Sequence, residues 1–193
     1  MPKARPERER DEKVSEIVAA AVERLRAGGY DALSVIGIAR DLGVAQNTIY
    51  WYFPSKDHLF VAALQQIFDD ISARKPARGT SVIDRIVWFT EQLNELYDLR
   101  AAMDEQARRS EIVAEFVARF HAHLRDMLAD ALRRYVAPDE LDLAVDTFII
   151  AADGLCLQNV KSERGRALLR YTLERLIGSD AHKVGVRTAD EGR

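Results

Sequence analysis

Residues Ile38–Phe60, IARDLGVAQNTIYWYFPSKDHLF, constrain the fold more than any other stretch of the 193-residue chain. Val35, Ile38, Ala39 and Leu42 recur at helical spacing behind Ser34, a residue type that caps helix N-termini. Gly43 then supplies the positive φ that a sharp turn demands. A short helix is expected from Ala45 to Tyr52, and Pro54 ends it because the residue before a proline is pushed out of helical geometry. Ser55 caps a restart that carries Leu59, Phe60, Ala63, Leu64, Ile67, Phe68 and Ile71 on one apolar face. Two helices joined by a tight Gly-containing turn are a way of laying the second helix along base edges in a major groove.

The remainder favours helices throughout. Only ten Gly and five Pro interrupt the chain, and a 48% hydrophobic content can bury a core. An all-α fold of about nine helices is expected. The one cysteine, Cys156, excludes an internal disulfide and a Cys-rich zinc site. There is no apolar run of transmembrane length, and the charged start lacks a signal-type apolar stretch, so a cytoplasmic protein with no membrane partner is expected. The net charge is −3, but residues 1–56 hold nine Lys/Arg against eight Asp/Glu, and the rest nineteen against twenty-three. That slight asymmetry permits contact with nucleic acid without arguing for it.

The spacing divides the chain into four parts. Residues 1–12, charged and aperiodic, read as a flexible arm: a solvated tail, or a basic arm reaching along DNA. Residues 13–58 read as a three-helix DNA-binding domain, opening with Val14, Ile17, Val18, Ala21, Val22 and Leu25 and breaking at Gly28-Gly29. Residues 59–178 read as a larger helical domain, after a helix that runs to the turn chemistry of residues 75–80, KPARGT. Residues 179–193 lack periodicity and read as a flexible tail.

Gly29-Tyr30, Ile38-Ala39, Gly43-Val44, Thr48-Ile49-Tyr50, Phe53 and Ser55-Lys56 with Leu59 together resemble the DNA-binding domain of the TetR family of bacterial transcriptional regulators. The likeness covers about fifty residues at fixed spacing across three helices. It implies an N-terminal helix-turn-helix domain followed by a helical domain for effector binding and dimerisation. The residue chemistry agrees. Gln46 and Asn47 fall in the first turn of the expected recognition helix, and their amides suit an adenine edge. Ser34, Thr48 and Tyr50 carry hydroxyls for phosphate oxygens, although Tyr50 also suits packing. Trp51 offers a flat face and an N–H donor, and Lys56 a cation in the first turn of the next helix. Ala45 departs from the family, which usually has Ser or Thr there; it cannot cap, at a cost of about 1 kcal/mol, but its methyl can touch a thymine methyl.

The resemblance also implies a homodimer. The segment AVDTFIIAADGLCLQNV is apolar around much of its circumference, so it must be covered on more than one side. Ile150, Gly154 and Leu157, with Leu169, Leu173 and Leu176 of the following helix, are the expected interface. An effector pocket is expected among Trp88, Phe89, Gln92, Met103, Phe116, Phe120, His123, Met127 and Asn159, with ordinary core packing as the competing account of the Phe116–Phe120–His123–Met127 stripe. The lining suits an apolar or aromatic ligand. No catalytic constellation, metal site or cofactor motif is present in the sequence. The expected partners are therefore double-stranded operator DNA, a second copy of the chain and a small-molecule effector. The alternatives are a DNA-binding dimer without an effector and, more remotely, a helical enzyme or carrier that retains the fold.

Overall fold

The computed structural model describes residues 4–74, 79–158, 160 and 163–178. Among them are nine helices and no strand: α1 (Ala4–Ala32), α2 (Val35–Asp41), α3 (Gln46–Tyr52), α4 (Lys56–Ala73), α5 (Val82–Asn94), α6 (Tyr97–Ala107), α7 (Glu111–Leu132), α8 (Leu141–Leu157) and α9 (Glu163–Ile177). The turn expected over residues 75–80 lies mostly outside the described residues, and the expected tail, 179–193, lies wholly outside them. No helix among the described residues is long and apolar enough to cross a membrane.

The helices form two compact units. One takes the residues up to Arg74 together with Asp98–Ala118; the other takes the described residues 79–97 and those from Arg119 onward. In the first unit α1 packs on α4. Ile17, Val18, Ala21, Val22 and Leu25 bury one side of α1, and Leu59, Phe60, Ala63, Leu64, Ile67, Phe68 and Ile71 bury one side of α4. Each such side chain removed from water contributes roughly 1.5–3 kcal/mol before entropy is counted. Tyr30 meets Phe60 edge-on at 4.9 Å, and its hydroxyl donates to Asp57 Oδ1 at 2.6 Å, which ties the end of α1 to the start of α4.

Helix α1 begins at Ala4, where the charge pattern suggested an arm up to residue 12. The added turns carry i,i+3 and i,i+4 pairs: Arg8 with Glu12 at 3.0 Å, and Lys13 with Glu16 at 2.5 Å. Mixed charge at that spacing supports a solvated helix without any apolar period. The expected break is present at Gly28–Gly29, where Gly29 takes φ +66°.

The second unit packs α9 against α5 and α8. Its core holds Val82, Ile83, Val87, Leu128, Leu132, Val145, Phe148, Leu169, Leu173 and Ile177. Arginines clasp its edges. Arg125 bonds Asp142 and Asp146, two carboxylates one helical turn apart on α8. Arg166 makes a forked pair with Glu91 at 2.7 and 3.0 Å, and Arg170 pairs with Asp84. Bonding to carboxylates holds the Arg125 and Arg166 guanidiniums above their usual basicity.

Candidate nucleic-acid interface

Three local devices place α3 on the surface of the first unit. Ser34 Oγ accepts from Gly37 N–H at 3.1 Å and caps α2, leaving the hydroxyl hydrogen free to donate outward. Gly43, at φ +64°, turns the chain, and the Val44 N–H closes the turn on the Ala39 carbonyl at 2.9 Å. Ser55 then caps α4 by accepting from His58 N–H, so α3 is bounded by capped helices on both sides. Arg24 of α1 braces the assembly: it pairs with Asp41 and lies so close to Gly37 that a Cβ there would meet the guanidinium at 2.7 Å.

Helix α3 itself has two sides. Thr48 and Tyr52 are half-buried, and Ile49 is fully buried. Gln46, Asn47, Tyr50 and Trp51 are exposed, and at 100° per residue they span an arc of about 140°. Trp51 is 69% exposed, an unusual state for an indole, which is highly buried on average. Ala45 stands at the cap with extended backbone and makes no side-chain cap bond, as its methyl requires. Lys56 lies in the first turn of α4 with its ammonium 3.9 Å from the centre of the Tyr30 ring. That contact holds the cation by the ring quadrupole rather than by a carboxylate. Tyr30 in turn keeps its phenol protonated well above its ordinary range, first because it is shielded from water and then because it bonds Asp57.

The face therefore offers amide donors and acceptors, hydroxyls, an indole and a flanking ammonium, and within it no cluster of groups for bond-making chemistry. The pattern described as bacterial regulatory proteins, tetR family, matches residues 17–63, which run from the buried side of α1 into α4 and contain the whole of this face.

Over residues 17–63 the chain matches the TetR family.

It is similar to the helix-turn-helix-type transcriptional repressor KstR of Mycobacterium tuberculosis, 29% identical over 129 residues, which cover 65% of this chain and 57% of that protein. The chain spans a little over half the length of the curated KstR relatives it matches first. A TetR-family regulator from Rhodococcus sp. superposes with a TM-score of 0.69 at 20% identity, covering 87% of this chain and all of that one. BioQ, solved with its double-stranded DNA operator, superposes with a TM-score of 0.58 at 21% identity, covering 85% of this chain and 97% of that one. At these identities the structural likeness is one of fold.

Two further surfaces belong to the second unit. The first is an apolar stripe. Leu143, Ile150 and Leu157 on α8 are 71%, 73% and 74% exposed, at seven-residue intervals, with Gly154 on the same side and open space where its Cβ would stand. Leu168 and Tyr171 continue exposed apolar surface on α9. Of the expected interface, Leu169 and Leu173 are buried in the core of their own unit, and Leu176 is half-buried against it. They are taken up by intrachain packing, and the open side of α9 lies one position away.

The second is a half-open groove of about 630 Å³. Trp88, Glu91, Gln92 and Asn94 of α5, Glu95 after it, Leu155 and Cys156 of α8, and Glu163 and Arg166 of α9 line it. Asn94 Oδ1 is buried without a hydrogen-bond partner. Trp88 and Gln92 of the expected pocket stand in this groove; the others do not line it. Met103 and Phe116 are buried in the first unit, where Phe116 stacks on Phe68 with ring centres 6.3 Å apart. Phe89 and Phe120 are half-buried, His123 and Met127 are exposed on α7, and Asn159 lies outside the described residues. The expected stripe on α7 followed helical spacing, but α7 begins in one unit and ends in the other, so its residues do not share one environment. Sequence reasoning missed Glu91, Glu95 and Arg166, whose charges resemble any solvated helix face until the fold gathers them.

Proposed function

We propose that this chain is a homodimeric transcriptional repressor that reads a pseudo-palindromic operator through α3 and is released by a small-molecule effector held in its second unit. One observation carries the DNA reading: Gln46, Asn47, Tyr50 and Trp51 stand exposed on one side of a short helix whose other side is buried. Gln46 and Asn47 present amides that pair bidentately with an adenine edge. Ser34, Thr48, Tyr50, Trp51 and Lys56 serve the phosphates, and Ala45 serves a thymine methyl. The operator-bound fold of BioQ and the repressor name of KstR support this assignment.

Dimerisation rests on the α8 stripe. A monomer gains nothing by holding three large aliphatic side chains in water, and a second copy related by a twofold axis would cover each stripe with the other. Two recognition helices then address half-sites about 34 Å apart. The groove is of a size that takes a small organic ligand, and a ligand that favours a conformer with unmatched half-site spacing shifts the population off DNA.

Selection of bound duplex from a random pool, at stated salt, tests the proposal. Recovery of a pseudo-palindrome with half-sites one helical turn apart is the expected result; recovery of no shared motif would overturn it. One observation favours a second reading, a DNA-binding dimer without an effector: Met103 and Phe116, expected in the pocket, are fully engaged in core packing. A small-molecule screen against the protein–operator complex separates the two, since only the first reading predicts compounds that release DNA and lose their effect when Trp88 is replaced by Ala.

A further inference from the structure

The N-terminal turns of α1 bring Arg10 to the recognition helix. Its guanidinium carbon lies 5.5 Å from the centre of the Trp51 ring, forty-one residues away in sequence. This is the contact that a flexible arm would not make, and it changes what both residues offer.

The neighbouring cations of α1 are neutralised locally. Arg8 is held by Glu12 and Lys13 by Glu16. Arg10 has Pro6 and Val14 at i−4 and i+4, and Glu7 at i−3 is the one acidic residue at helical pairing distance from it. Among the described residues it makes no ion pair. A guanidinium lying over an aromatic ring uses its face, while its N–H donors radiate in its own plane and stay open. Such a group is a preorganised fork for a phosphate. Trp51 belongs to the exposed arc of α3 that also carries Gln46 and Asn47, so the fork stands beside the base-reading amides.

We propose that Arg10 and Trp51 together form a backbone contact to duplex DNA: the indole carries the guanidinium on its face, and the guanidinium's free edge grips a phosphate flanking the bases that Gln46 and Asn47 read. The proposal rests on the DNA-reading assignment above. It gives the extended α1 a role in affinity and none in sequence choice, because phosphates are alike at every step of the duplex. It also accounts for the exposure of Trp51, whose ring is a platform rather than a core residue.

Fluorescence anisotropy of the full chain on its selected duplex, across a potassium chloride series, tests it. Arg10→Ala should weaken binding several-fold at physiological salt and flatten the slope of log K against log salt by about 0.9 per half-site contacted, with the selected motif unchanged. Arg8→Ala, which removes an exposed charge already paired with Glu12, should leave the slope alone. In a Trp51→Ala background the loss on removing Arg10 should shrink. Circular dichroism of each variant should match the parent, since Arg10 and Trp51 are exposed. Equal slopes for Arg10→Ala and the parent would overturn the phosphate contact, and fully additive losses would overturn the indole platform. A parent chain that binds no duplex would overturn the DNA reading and this contact with it; a parent that binds with a slope unmoved by Arg10→Ala overturns this contact alone.

Discussion

The exposed side of α3 and the exposed side of α8 are both surfaces that a solitary chain has no reason to keep, yet they are built from opposite chemistry. On α3 the exposed side chains are two amides, a phenol and an indole, all with directional donors or acceptors. On the α8 stripe Leu143, Ile150 and Leu157 have none. A directional surface suits a partner with fixed polar edges, and it discriminates because an unmatched donor costs about 1–3 kcal/mol when desolvated. An aliphatic stripe suits any dry, complementary surface, and gains in proportion to area with little orientation of its own. The comparison teaches that two exposed surfaces of one chain differ in the kind of partner their side-chain chemistry suits.

Four substitutions would break or sharpen that contrast. The largest effect is expected from Ile150→Glu. Twofold symmetry would place two new carboxylates against each other in an apolar contact. Association measured by sedimentation should weaken by roughly a hundredfold or more, and operator affinity should fall with it, while the helical content of the monomer is retained. A variant that remains fully dimeric would move the interface away from α8. Asn47→Ala should leave association untouched and cost about 1–3 kcal/mol of operator binding, with relaxed preference at one base position; uniform weakening across all sequences would demote Asn47 to a positioning role.

Tyr30→Phe is smaller. It removes the bond to Asp57 that ties α1 to α4, and should lower unfolding stability by about 1 kcal/mol. The sign of its pH dependence follows from the phenol's raised pKa, caused first by burial and then by Asp57. A group that holds its proton more tightly when folded stabilises fully below its unfolded value, 10.0 for tyrosine, and loses that contribution as pH rises toward its folded value. The gap between parent and variant in chemical denaturation should therefore be constant from neutral pH to about 10 and close above it. The smallest effect is expected from Ala45→Ser, which supplies the missing cap of α3 and should raise stability by about 0.5–1 kcal/mol. Thermal unfolding checks it; a loss instead would show that the cap position is constrained by something other than the helix.

The helix-turn-helix was legible because its signals are local. Ser34, Gly43, Pro54 and Ser55 each act within a few residues through capping, a positive φ or a steric block, and each acts as expected here. The extent of α1 was not legible in the same way: a mixed-charge stretch without apolar period is compatible with arm or helix, and the Arg8–Glu12 spacing that supports a helix is weak evidence by itself. The groove was legible only in part. Trp88 and Gln92 stand in it, but Met103, Phe116, His123 and Met127 went to other environments, because an aromatic or methionine stripe says that a face is apolar without saying what covers it.

By itself the sequence determined the all-helical class, the turn that presents α3, and the chemistry of the face α3 shows, since capping, turn geometry and helical period operate over distances of one or two turns. Tertiary structure alone decided which leucines of α9 are core and which are surface, which charges meet across α5 and α9, and that Arg10 lies over Trp51. Those are contacts between residues far apart in the chain, and nothing in the pattern around either partner names the other. Only packing, which must satisfy all the apolar faces of a unit together, brings them within reach.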